Sequence, residues 1–368
     1  MHQTFQPEIY DINQIRALYG DRLSFWGGIC TQRLLPFETP ENLVESDPVM
    51  VVGVESVSYA KLHSHIKDIR VLKDFNHPGY DYLYDDMDSL ANIIASVVDP
   101  ASCKKMGIAG STLISYNLFD SFKKALPGEW VIMGEEMGML RAVKTQEELE
   151  VIRYAYKIAE AGLNAAVAAI QPGVTERQVV AEAEYVMRKM GAECYGIDPM
   201  LASGSKNTSP IMSRTTFREI QKDDLVTLTF APRYEGYHSA VAIPVLVGNP
   251  SDEVKRAVEA AVRAQKACAA LFHEGQGEAA EAKARNIMGE AGFGHNFMCS
   301  GVHSIGVIEF ETPIFGPGCK STMKENMVLS IDVPVFDGEW GGMRIEDGYI
   351  IKKDCAERLT QFEYAVKK

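Results

Sequence analysis

ENMVLSIDVP (residues 325–334) and GGMRIEDGYIIKKD (residues 341–354) read as two strands with carboxylates near their centres, Asp332 in the first and Glu346 in the second. Two stretches upstream complete a strand frame: DLVTLTFAPRYEGYHSAVAIPVLVG (residues 224–248) and GVHSIGVIEFETP (residues 301–313). His303, Asp332 and Glu346 thus stand on three separate motifs. One histidine and two carboxylates are residue types that hold a divalent ion or move a proton.

The chain has 368 residues, 46% apolar and 24% charged, which is room for two domains with a core each. Its net charge of −13 repels phosphate backbones, and its lysines and arginines are scattered, so nucleic acid is not an expected partner. The opening MHQTFQPEIYDINQIR lacks a basic stretch followed by an apolar core. No apolar run is long enough to span a bilayer, so no membrane contact is expected and the chain reads as cytoplasmic. The seven cysteines (Cys30, Cys103, Cys194, Cys268, Cys299, Cys319 and Cys355) form no CxxC pair and are odd in number. They read as reduced, mostly buried thiols.

Residues 1–140 mix strand-like and helix-like segments, such as PVMVVGVES from Pro48 and the periodic DMDSLANIIASVV from Asp86, and read as a small α/β domain. The second domain, residues 141–368, opens on a long amphipathic helix. Thr145 and Glu148 form a capping box, and Leu149, Ile152, Tyr156, Ala159 and Leu163 recur at helical spacing. This domain reads as duplicated: a long helix, Gly173 and a helix from Glu176 ending at Gly191 are echoed by a helix from Asp252, Gly275 and a helix from Glu278 to Gly292. Strands follow each pair, so two αβ halves would enclose a sheet-lined pocket. The fold class is α/β (α+β).

On these motifs the chain resembles the superfamily of aminopeptidase P, prolidase and creatinase, whose domain is the pita-bread fold. The resemblance runs from about residue 139 to the end and more weakly over the domain before it. A second, local resemblance lies in DINQIRALYGDRLSFWGGICTQRLLPFETPENL (residues 11–43), which is similar to a segment of the uroporphyrinogen decarboxylase family. One strand–loop–helix cannot close a barrel, so no activity is carried over, and residues 1–45 read as an atypical start of the first domain.

In metal-dependent members of the superfamily two Asp, one His and two Glu hold a pair of divalent ions. The resemblance places the two Asp at Thr229 and Ala240, the His at His303, and the Glu at Asp332 and Glu346. Losing two acids removes both charge and geometry from a metal pair, so no cofactor is the favoured expectation. One ion (Mn, Fe, Zn or Co) on His303, Asp332 and Glu346 is the alternative. Two superfamily histidines fall at Met212 and Phe310. Creatinase, the metal-independent relative, uses the first of them with a glutamate at the position of Ala242, and shares a serine after the retained histidine, here Ser304.

His238 shares strand parity with Ala240 and Ala242 and is the candidate water-activating base, with exposure after the YEGY turn as its competing reading. Glu309 and Glu311 flank Phe310; one of them is a candidate base, Glu311 by its match to a common His-Glu pair, and the other is expected in solvent. Asp332 and Glu346 either pair with Arg344 or, unneutralised, bind a substrate cation against Phe310 and Met212. The resulting expectation is a creatinase-like hydrolase cleaving a C–N bond of a small cationic or zwitterionic compound, with His303 and His238 as proton carriers. The alternatives are a one-metal Xaa-Pro peptidase or lyase, and a binding module without catalysis. The resemblance implies a homodimer.

Overall fold

The structure, a computed structural model, describes residues 49–64, 66–73, 87–108, 110–111, 114–299 and 301–368. The decarboxylase-like segment and Cys30 lie outside these residues. The chain divides into two compact units between Leu140 and Arg141.

In the first unit, apolar β-branched runs form short strands and helices fall between them. Strands β1 (Val49–Val52), β2 (Asp68–Leu72) and β3 (Met87–Asp88) make one parallel sheet, with α1 (Val57–His63) between the first two. Helix α2 (Leu90–Val97) follows, capped by Ser89, whose hydroxyl accepts from the Asn92 amide. Strands β4 (Lys105–Ile108) and β5 (Glu129–Ile132) pair in parallel across α3 (Tyr116–Ala125). Helix α4 (Gly134–Ala142) carries the chain over the division.

The second unit begins with α5 (Gln146–Ala169), and both halves of its capping box form: Thr145 Oγ1 accepts from the Glu148 amide while the Glu148 carboxylate takes the Thr145 amide. Leu149, Ile152, Tyr156, Ala159 and Leu163 are all fully buried, so the helical spacing of the sequence is the face turned to the core. Helix α6 (Glu176–Lys189) has the same device in Thr175 and Gln178. The second pair, α7 (Gly204–Thr208) aside, is α8 (Asp252–Ala269) and α9 (Ala279–Glu290). Gly173 and Gly275, ahead of the second helix of each pair, both have φ +88°, a left-handed conformation that only glycine adopts without strain. The repeated turn supports the duplication.

A nine-stranded sheet spans both halves. Its order is β13 (Glu311–Ile314), β12 (Val302–Ser304), β14 (Val328–Gly338), β15 (Gly341–Ile351), β11 (Val241–Leu246), β8 (Leu225–Phe230), β7 (Met200–Ser203), with β16 (Ala356–Arg358) and β17 (Val366–Lys367) paired at its side. A separate three-stranded sheet holds β6 (Cys194–Tyr195), β9 (Pro232–Tyr234) and β10 (Tyr237–His238). The stretch 237–247, expected as one strand, is therefore two strands in two sheets. Ser239 makes the corner: its hydroxyl donates to the Ala155 carbonyl and its amide to the Pro232 carbonyl. Among the described cysteines, Cys103 and Cys268 are buried, Cys355 is exposed and the other three are intermediate; all are free, so the expected burial holds for two.

Candidate active site

Register assembles the site. Thr229 pairs with Ala242, Ala242 with Glu346, and Glu346 with Asp332, so four residues from β8, β11, β15 and β14 form one row across the sheet. Cross-strand partners share a face. His303 on β12 pairs with Ser330, two residues before Asp332, and the Ser330 hydroxyl donates to Glu346 Oε1 at 2.9 Å. The acidic half of the row meets the histidine; the other half, Thr229 and Ala242, offers a hydroxyl and a methyl.

His303 is 1% exposed, and its two ring nitrogens have different partners. Nδ1 lies 3.0 Å from the Ser304 carbonyl, which can only accept, so Nδ1 carries the hydrogen. Nε2 then turns towards Glu346 Oε1 at 3.5 Å. A lone pair facing a carboxylate is repulsive unless a proton or cation stands between them. Burial works against a charge on His303, yet the facing Glu346 outweighs it and raises the histidine's pKa; burial works against charge on Glu346 too, and His303 and Arg344 hold that carboxyl below its usual range.

Arg344 decides between the two readings of the carboxylates. Its Nε is 3.3 Å from Asp332 Oδ1 and its Nη1 is 3.9 Å from Glu346 Oε2, so the acids expected to await a substrate cation already face an internal one. The pairing is imperfect: Asp332 Oδ1, Arg344 Nε and Glu346 Oε2 are all buried without a hydrogen bond among the described residues. Asp332, buried and only partly offset by Arg344, has its carboxyl pushed up to about 7.

Glu309 and Glu311 exchange their expected places. Residues 306–310 bend rather than continue a strand, so the alternation of a strand does not apply. Glu311, the candidate base, is buried and engaged by Lys144 Nζ at 3.2 Å and Arg141 Nη2 at 3.3 Å. Lys144 also donates to the Ser304 hydroxyl and the Ala142 carbonyl, and burial lowers its pKa in spite of Glu311. Glu309, expected in solvent, instead turns to the histidine: one donor atom each from His303, Glu309 and Glu346 lie within 4.8 Å of one another. Burial and the nearby Glu346 raise its pKa. Gly196 allows this approach, since a Cβ there would stand 2.6 Å from Glu309 Cβ.

Phe310 stacks on His303 with ring centroids 4.2 Å apart and is 44% exposed, so one of its faces walls the site. Met212 is 55% exposed and does not close an apolar wall as expected. Its loop is held by Glu176, which accepts from the amides and hydroxyls of Ser203 and Thr216. His238 is buried, with Nδ1 3.3 Å from the Gly306 carbonyl, and burial lowers its pKa to about 4. It is neutral and a weak base at neutral pH, which corrects its expected role as water activator.

A pair of ions does not fit this donor set, because Thr229 and fully buried Ala240 bring no carboxylate. One ion does fit: His303, Glu309 and Glu346 bring a donor atom each within 4.8 Å of one another, and Glu346 Oε2 is buried with no hydrogen bond among the described residues. Asp332, held by Arg344, is outside that group. Lys144 and Arg141 escaped sequence reasoning, since neither carried a motif and only their position in the fold gives them meaning; Glu309 is named by the sequence beside Phe310, but with Glu311 preferred as the base.

Comparison with known proteins agrees with this architecture. The model of metallopeptidase family M24 matches residues 150–353. A Xaa-Pro dipeptidase of Pyrococcus furiosus is 32% identical over 260 residues, covering 70% of this chain and 74% of that protein. The solved prolidase from Pyrococcus furiosus superposes with a TM-score of 0.72 at 27% identity, covering 86% of this chain and 88% of that one. A Xaa-Pro dipeptidase structure from Bacillus anthracis, 24% identical, shares the fold over 97% of this chain and 99% of its own with a TM-score of 0.80.

Proposed function

We propose a function from one premise: the chain belongs to metallopeptidase family M24, and is a hydrolase of the pita-bread fold. Its reading here is an Xaa-Pro dipeptidase-like enzyme. The relatives named above favour this over a creatinase-like activity, and Arg344 removes the reason to seek a substrate cation for Asp332 and Glu346.

The observation that carries the reading is the half-exposed face of Phe310 beside the buried His303–Glu346 pair. An aromatic wall next to a polar cluster suits a pyrrolidine ring whose amide carbonyl points at the cluster. In the reaction, a water oxygen adds to the carbonyl carbon, the C–N bond to proline breaks, and the departing nitrogen takes a proton. The products are a free amino acid and proline. Asp332, with its carboxyl near 7, is the group suited to take a proton from water and pass it on at neutral pH. Ser330 fixes the Glu346 carboxylate and Ser304 fixes the His303 ring. A divalent ion bound at His303, Glu309 and Glu346 would supply Lewis acidity towards the carbonyl oxygen.

The test is hydrolysis of Xaa-Pro dipeptides, Xaa-Pro tripeptides and creatine by dialysed protein with and without Mn²⁺. Release of proline from dipeptides is expected. Turnover of creatine with none of the dipeptides would return the assignment to the creatinase-like reading. A homodimer is carried over from the resemblance, and light scattering of the purified protein tests it. No described helix is long and apolar enough to cross a membrane.

A further inference from the structure

We infer that this chain has exchanged a two-ion centre for a single-ion centre in which Glu309, from the loop after β12, is the third protein ligand beside His303 and Glu346. The inference rests on donor geometry and not on the substrate.

Three observations carry it. The first concerns what is missing: Thr229 and Ala240 stand where the superfamily resemblance places two aspartates, and the row Thr229–Ala242 contains no acid to bridge two ions. The second concerns what is gathered. His303, Glu309 and Glu346 each bring a donor atom into a group no wider than 4.8 Å, while Asp332 is turned to Arg344 Nε at 3.3 Å. The third is a polarity that the protein leaves open. His303 turns Nδ1 to the Ser304 carbonyl and Nε2 to Glu346 Oε1 at 3.5 Å, where a proton or a cation must stand, and Glu346 Oε2 is buried with no hydrogen bond among the described residues. A buried carboxylate oxygen left unmatched is unfavourable, and a cation between these donors satisfies it.

The local architecture is built around Glu309. Gly196 lets its side chain lie where any Cβ would collide, 2.6 Å from Glu309 Cβ and 2.9 Å from Cγ. Phe310 stacks on the histidine and occupies the place of a superfamily histidine, so the nitrogen donor is lost there as the carboxylate is gained one residue earlier. One histidine nitrogen and two carboxylates with open positions remaining is a set suited to Mn²⁺, Fe²⁺ or Zn²⁺.

The experiment uses the full chain freed of metal by chelator dialysis and titrated with Mn²⁺, with bound ion counted by calorimetry and by the electron paramagnetic resonance of free Mn²⁺. One ion per chain is expected. Glu309→Gln is expected to weaken binding at least about tenfold, a loss seen even for residues that only support a ligand. An unchanged near-ultraviolet dichroism spectrum shows that the variant is folded. Two ions per chain, no binding at millimolar Mn²⁺, or wild-type affinity in Glu309→Gln would each overturn the assignment. Because the wild-type count needs no variant and no substrate, its failure is separable from failure of the Xaa-Pro reading.

Discussion

Replacing Lys144 by Met tests whether Glu311 is a structural anion or a base. Both side chains are essentially excluded from solvent, at 1% and 2% exposure, and Lys144 Nζ bonds to Glu311 Oε1, Ser304 Oγ and the Ala142 carbonyl. Removing one partner of such a buried pair strands the other charge, which typically costs about 3–5 kcal/mol. Arg141 remains within 3.3 Å of Glu311 and offsets part of this, so the lower end, about 3 kcal/mol, is expected. For a unit of about this size that is a fall in Tm of roughly 6–12 °C. Glu311→Leu alone leaves Lys144 unpaired and should cost a similar amount. The double variant Lys144→Met/Glu311→Leu removes both charges and, with a coupling of about 2–3 kcal/mol in the cycle, should cost about 3–4 kcal/mol where additivity would give about 6. Urea unfolding of the four proteins, read by fluorescence, gives the numbers. Additive single effects would refute the buried-pair reasoning. Loss of turnover in a double variant that is still folded at the assay temperature would return Glu311 to the chemistry.

His238 sets an acid limit on stability. Its pKa falls from 6.5 unfolded to about 4 folded, so the unfolded state binds more protons between those values and stability falls as pH drops from about 6.5 towards 4. The shift corresponds to about 3 kcal/mol, and His238→Gln should flatten this part of the pH–stability curve, measured by urea midpoints at each pH. Restoring two acids by Thr229→Asp/Ala240→Asp should lower apo stability by about 2 kcal/mol or more through buried repulsion and raise Mn²⁺ binding from one ion to two, read by calorimetry; one ion still bound would count against the lost-ligand account. Gly348→Ala should cost about 1–3 kcal/mol, because its Cβ would lie 2.1 Å from Tyr156 Cζ. Tyr156→Phe should stay within about 1 kcal/mol, since the buried phenol oxygen has no well-formed hydrogen bond among the described residues; thermal melts check both.

Much of the second unit was legible in the sequence because its signals are local. The capping box at Thr145, the apolar stripe from Leu149 to Leu163 and the repeated glycine turns each depend on a few neighbouring residues, and each formed. Part of the site was legible through motif: His303 and Glu346 meet, while Asp332, paired with Glu346 across the strands, turns to Arg344. What failed was direction. Parity along a strand put His238 beside Ala240, but a corner at Ser239 moved it to another sheet. The match to a His-Glu pair favoured Glu311 as base, but the chain bends after Ile305 and brings Glu309 to His303 and Glu311 to Lys144. The neutralisation of Glu311 by Lys144 spans 167 positions and had no local trace.

Arg344 has a consequence for how this protein would behave with and without the proposed ion. A pocket whose carboxylates had no counter-charge of their own would repel itself apart when empty, and metal supply would then govern whether the chain folds at all. Here a guanidinium fixed on β15 stands between Asp332 and Glu346. The acids are held in register by the polypeptide itself, so loading and loss of a cation become exchange events on a finished protein. Metal starvation would leave a reservoir of intact, idle chains ready to be switched on.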